Sequence, residues 1–171
     1  MRKGLYTEVE TEEFLKKYVP IAKHSFVHTQ REAEAAVRKI GFPLVLKIIS
    51  KGALHKSEVK GVRLVKNKVD FEQEYRDLVK VAKRKKLILD GILVQEFVEG
   101  EYVLMGLKKD PVFGHVIAFG VGGIYTELLK DVTFRVCPIT SKDAQSMIDE
   151  LKMRELLYGF RGGKKVNIAK L

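Results

Sequence analysis

Apolar and polar positions along this 171-residue chain switch between two periods, and the switches mark its elements. Phe14, Leu15 and Tyr18 predict a short amphipathic helix that Pro20 breaks, after which residues 22–27 can run extended. Thr29 and Glu32 have capping-box spacing, each able to satisfy the other's backbone donor. Ala33, Ala36, Val37 and Ile40 then fall on one helical face, and Gly41 stops the helix. The run 42–50 reads as a buried strand that carries a single charge, Lys47.

Residues 61–65 form a short strand candidate, and Phe71, Tyr75, Leu78, Val79 and Ala82 repeat as a second amphipathic helix. Four β-type segments follow, at 92–98, 102–107, 112–119 and 133–136, with turn signals at Asp110-Pro111 and at the glycine group 120–123. Ala144, Met147, Ile148 and Leu151 mark a last helix behind a Thr140 or Ser141 cap. This order predicts an α+β chain of two lobes, roughly 1–91 and 92–171.

Composition narrows the class. With 46% hydrophobic residues, a chain of 171 residues can bury a core. No apolar run reaches the roughly 18 to 20 residues of a membrane span, and the start Met1-Arg2-Lys3-Gly4 leads into acidic residues rather than an apolar signal core, so the expected compartment is the cytoplasm. The single cysteine, Cys137, excludes an internal disulfide and a cysteine-based metal site, and reads as a small buried hydrophobe. Richness in Lys and Glu without Trp hints at a heat-adapted source.

The excess of 32 basic over 22 acidic residues points to an anionic partner without saying which one. Nucleic acid is disfavoured, because the one dense run, 83–86, lies at a helix end where cations suit the dipole.

Two places carry candidate chemistry. A lysine in an apolar strand is expensive to bury unless an anion meets it, most economically a phosphate; alternatively the stem of Lys47 lies along the core and its head snorkels to water. In the loop after that strand, His55 stands before Lys56 and Ser57. A neutral imidazole is a good nucleophile near pH 7, and the lysine and hydroxyl can offset the charge of a developing phosphate. The plainer alternative is a loop histidine that only hydrogen-bonds.

The segments 41–48 (Gly-Phe-Pro-Leu-Val-Leu-Lys-Ile), 54–62 (Leu-His-Lys-Ser-Glu-Val-Lys-Gly-Val), 110–114 (Asp-Pro-Val-Phe-Gly) and 119–135 (Phe-Gly-Val-Gly-Gly-Ile-Tyr-Thr-Glu-Leu-Leu-Lys-Asp-Val-Thr-Phe-Arg) occur in the order found in a known family. From about Glu12 to about Asn167, the chain resembles the ATP-grasp (beta) subunit of ADP-forming acyl-CoA synthetases, of which ADP-forming acetate–CoA ligase is the best-known type. The resemblance implies an ATP-grasp fold with nucleotide bound between two α+β lobes. It also implies an acid–thiol ligase that turns acyl-CoA, ADP and phosphate into acid, CoA and ATP, with ATP or ADP and Mg2+ as cofactors. A CoA-binding alpha subunit is the implied partner.

The resemblance makes His55 the transient phosphoryl carrier and Lys47 a nucleotide-phosphate contact. It lays Glu96, Phe97 and Val98 along the adenine, where an ordinary edge strand is the alternative. Gly122 and Gly123 are expected near phosphate, although a tight turn needs glycine equally. Glu127, Asp131 and Arg135, spaced by four, either hold phosphoryl oxygens and metal or form a surface salt bridge.

Three departures stand out. Tyr102, beside Glu101, stands where a glutamate is usual, and a glycine pair is reduced to Lys60-Gly61. The family's magnesium ligands lie on a final strand pair of Asp-Ile-Asn-Pro and Val-Asp-Ala-Arg type that is not evident in this chain. They are therefore expected from another chain, or the protein is a non-catalytic nucleotide-binding or assembly module.

Overall fold

The computed structural model describes residues 6–50, 60–123, 129–163 and 165–171. The chain divides into two units, Met1–Val98 and Glu99–Leu171. The expected boundary near residue 91 lies too early. The strand β4 (Gly91–Glu96) pairs with both β1 (His24–Val27) and β2 (Leu44–Ile49), so it is interior to the first sheet.

That sheet is antiparallel, in the order β1-β4-β2-β3, with β3 (Val62–Val65) at one edge. The helices α2 (Gln30–Ile40) and α3 (Lys68–Arg84) close a core with one face of it. Strand alternation sends Leu44, Leu46 and Ile48 from β2, and Ile92 and Val94 from β4, into that core with Val37, Phe71 and Leu78. Fully burying one such leucine or isoleucine contributes about 1.5–3 kcal/mol. The expected capping box starts α2, with the Glu32 amide donating to Thr29 Oγ1 at 3.2 Å and the Thr29 amide to Glu32 Oε2 at 3.3 Å. Gly41 ends α2 at φ +82°, where glycine is favoured for its conformation, since a Cβ would meet nothing within 4 Å.

The helix α1 (Glu8–Leu15) begins and ends earlier than the apolar triplet predicts. Thr7 and Glu10 form its capping box. None of its residues is buried, and Tyr18 lies beyond it with its ring 5.6 Å from that of Phe14.

In the second unit β5 (Val103–Asp110), β6 (Gly114–Val121) and β7 (Val132–Val136) form an antiparallel sheet in that order. The helix α4 (Ser141–Asp149) covers one face, and Phe119, Val121, Met147, Ile148, Leu151 and Leu157 make the core. The β5–β6 turn is tighter than expected. Asp110 Oδ1 accepts the amides of Val112 (2.8 Å) and Phe113 (3.0 Å), which folds 111–113 into the turn and lets β5 run on to Asp110. Cys137 follows β7 and is only half-buried, so it is not the core hydrophobe expected of it. Among the described residues no helix is long and apolar enough to cross a membrane.

Candidate functional site

Because side chains alternate along β2, the neighbours of Leu46 and Ile48 must point away from the α2/α3 core. Lys47 therefore stands on the opposite face of the sheet, its side chain 22% exposed. It pairs in register with Leu93, which puts Gln95 diagonally beside it on the same face. The Lys47 ammonium donates to Gln95 Oε1 at 2.7 Å and to Glu8 Oε1 at 2.5 Å. The anion that meets this lysine is thus a carboxylate of α1, supplied 39 residues upstream.

The network continues past Lys47. Gln95 is 7% exposed, and its Nε2 donates to Glu12 Oε1 at 2.7 Å, which fixes which end of the amide faces Lys47. Glu8 and Glu12, four apart on α1, share the helix face that lies on these side chains. His24 Nδ1 lies 3.1 Å from Glu12 Oε2, while its hydrogen bond goes to the Ala22 carbonyl at 3.1 Å. That Glu12 oxygen is buried without a hydrogen bond among the described residues. Sequence reasoning did not find Glu8, Glu12 or His24 as parts of this cluster. The available signal was Thr7 followed by Glu10, the same capping spacing as Thr29 and Glu32.

The segment after Gln95 leaves the sheet. The Glu96 amide donates to the Lys23 carbonyl (2.8 Å) and the Phe97 amide to the Pro43 carbonyl (3.2 Å), while Glu96 Oε1 accepts from the Lys23 amide (3.0 Å). A backbone donor offered to a ligand here has to come from Val98 onward; that side chain is exposed.

In the second unit the Gly122 amide donates to the Tyr102 carbonyl at 2.6 Å, and a Cβ on Gly122 would stand 2.8 Å from the carbonyl carbon of Tyr102. Close backbone approach demands glycine at 122, and a φ of +68° favours it at 123. Glu101 and Tyr102 are both exposed. Lys60, where the family pattern has glycine, takes φ +53° in the left-handed region.

Asp131 and Arg135 have internal partners. Asp131 is 7% exposed, and its two oxygens accept the amides of Lys152 (3.0 Å) and Met153 (2.8 Å), pinning the chain after α4 to the start of β7. Arg135 Nη2 reaches Ser146 Oγ at 2.8 Å and the carboxylate of Glu150, whose hydrogen bond lifts the guanidinium pKa above its ordinary value. Asp131 precedes β7 and Arg135 lies within it; their side chains bond to the segment after α4 and to α4 with Glu150, and the salt-bridge alternative describes Arg135. His55, Lys56 and Glu127 lie outside the described residues. Among the described residues no three His, Cys, Asp or Glu side chains gather to hold a metal ion.

The whole chain, residues 1–171, matches the ATP-grasp domain family. The protein belongs to that family. Over 96% of its length the chain is 39% identical to subunit beta of ADP-forming acetate–CoA ligase I from Pyrococcus furiosus, and it spans 73% of that relative. It is 42% identical to the ADP-forming 4-hydroxybutyrate–CoA ligase of Nitrosopumilus maritimus over 96% of the chain, and spans 24% of that longer protein. Among solved structures, dinucleotide forming acetyl-coenzyme A synthetase 1 of Ca. Korarchaeum cryptofilum, in complex with coenzyme A, Ca-AMPCP and HgCl+, superposes with a TM-score of 0.90 at 40% identity. That match covers 96% of this chain and 74% of the other. The ATP-grasp fold, α+β with antiparallel sheets, is therefore common to this chain and those relatives.

Proposed function

We propose that this ATP-grasp chain is the nucleotide-binding, phosphoryl-transferring beta component of an ADP-forming acyl-CoA synthetase of the acetate–CoA ligase type. It would work with a CoA-binding alpha subunit to convert acyl-CoA, ADP and phosphate into acid, CoA and ATP. The observation that carries this reading is Lys47, a lysine held on the face of the first sheet opposite α2 and α3 with its ammonium on polar partners. The likeness to a named acetate–CoA ligase beta subunit over 96% of the chain adds weight.

In this reading Lys47 binds the nucleotide phosphates as a point charge with rotatable donors. Glu96, Phe97 and Val98 pass the adenine, with Val98 offering the backbone donor because the amides of Glu96 and Phe97 are taken. Gly122 and Gly123 shape the backbone near phosphate, although the Gly122 amide already serves Tyr102. Lys56 and Glu127 flank the transferred group. A phosphoryl group arriving from a phosphohistidine of the partner subunit bonds to an imidazole nitrogen of His55. It then passes to the terminal phosphate oxygen of ADP: the N–P bond breaks, an O–P bond forms, and the imidazole is released neutral. The described residues do not assemble a magnesium site. Asp131 and Arg135 hold β7 to the α4 side of the unit.

The test is ATP formation from acyl-CoA, ADP and phosphate by the chain combined with an alpha subunit. His55→Ala should reduce it to background while ADP binding survives; equal activity in variant and parent would remove His55 from the mechanism.

A further inference from the structure

The contact between Glu8 and Lys47 joins a helix with no buried residue to the one lysine on which the proposed function rests. Two of the three Lys47 N–H donors are taken, by Glu8 and Gln95. Gln95 is neutral and held by Glu12. It can therefore keep its bond to Lys47 when an anion arrives. Glu8 cannot do so on equal terms: a carboxylate 2.5 Å from the ammonium would stand within a few ångströms of any phosphate oxygen on the same head. Like charges at that separation repel in a partly desolvated site.

The way α1 is attached fits an exchange. Its inward face is polar, with Glu8 on Lys47 and Glu12 on Gln95 and beside His24, so releasing the Glu8 end uncovers no buried apolar side chain of the helix. The Glu8 carboxylate also lies at the helix N-terminus, where a carboxylate is stabilised even in water.

We infer that Glu8 is the internal placeholder for nucleotide phosphate on Lys47, and that ADP or ATP binding exchanges one anion for the other and loosens the start of α1. This rests on the nucleotide-binding reading of Lys47. It adds that the chain carries its own competing anion, so measured nucleotide affinity is the intrinsic affinity reduced by the Glu8 contact.

The test is calorimetric titration of the full chain with ADP, for wild type, Glu8→Gln and Lys47→Ala, with amide hydrogen exchange of α1 in wild type with and without ADP. The expected result is a Kd for Glu8→Gln lowered by about fivefold or more, together with faster exchange of the Thr11 amide, which bonds the Thr7 carbonyl in the first turn, when ADP is bound. Unchanged or weaker ADP binding by Glu8→Gln, with wild-type binding still sensitive to Lys47→Ala, overturns the placeholder and leaves the nucleotide-binding reading standing. Absence of ADP binding by wild type overturns both. Should Glu8→Gln fail to fold, the wild-type exchange decides: unchanged or slower exchange at Thr11 in the presence of ADP overturns the placeholder.

Discussion

Gln95 accepts from the Lys47 ammonium at 2.7 Å across two adjacent strands, and it does so because its own amide is oriented from behind by Glu12. The lysine on which the functional reading turns is thus aimed by a neutral side chain that is itself buried. Gln95→Leu removes both hydrogen bonds and leaves Glu12 and Lys47 short of a partner. The expected outcome is a loss of about 1–3 kcal/mol of stability and weaker ADP binding, read from urea unfolding and calorimetry. A variant as stable as wild type that binds ADP equally well would show that Gln95 merely fills space.

Asp131→Ala deletes the acceptor of two backbone amides, those of Lys152 and Met153, in a nearly buried place. The second unit should lose about 2–3 kcal/mol, with most of it recovered in Asp131→Asn, which keeps one acceptor. Full stability of the alanine variant in thermal unfolding would contradict the staple.

Acid should loosen the helix starts. The His28 amide, followed by that of Thr29, hydrogen-bonds the Glu32 carboxylate and lowers its pKa, and the Thr140 amide does the same for Asp143. A carboxyl with a folded pKa below its unfolded value is protonated more readily in the unfolded chain, so its contribution is present above the ordinary range near about pH 4 and is lost as pH falls through the folded value. The urea midpoint should therefore decline from about pH 5 to about pH 3, and Glu32→Gln should flatten part of that decline. A Glu32→Gln profile parallel to wild type over this range would place the acid sensitivity elsewhere.

The parts legible in the sequence are those set by neighbours in the chain. The helix α2 could be read to within a residue because capping box, 3.6-residue period and terminal glycine agree over residues 29–41. Lys47 could be recognised as needing an anion because its strand is otherwise apolar. That Glu8 supplies one was not legible: the contact spans 39 residues, and α1 is attached through acidic side chains rather than an apolar stripe. Pairing likewise hid the place of β4, which reads as the first strand of the second lobe and is an interior strand of the first sheet. The end of β5 was obscured by a side chain, since Asp110 draws Pro111 and the two residues after it into the turn. At Asp131 the spacing pointed to Arg135 and could not show the pair of amides that arrive from residues 152 and 153.

The most direct test of the central claim is calorimetric titration of wild type and Lys47→Ala with magnesium-ADP. Saturable binding by wild type, weakened at least about tenfold by the substitution, is the predicted result. Equal binding by the two proteins, or none by wild type up to millimolar ADP, would contradict the assignment of Lys47 as the nucleotide-phosphate contact of this ATP-grasp chain.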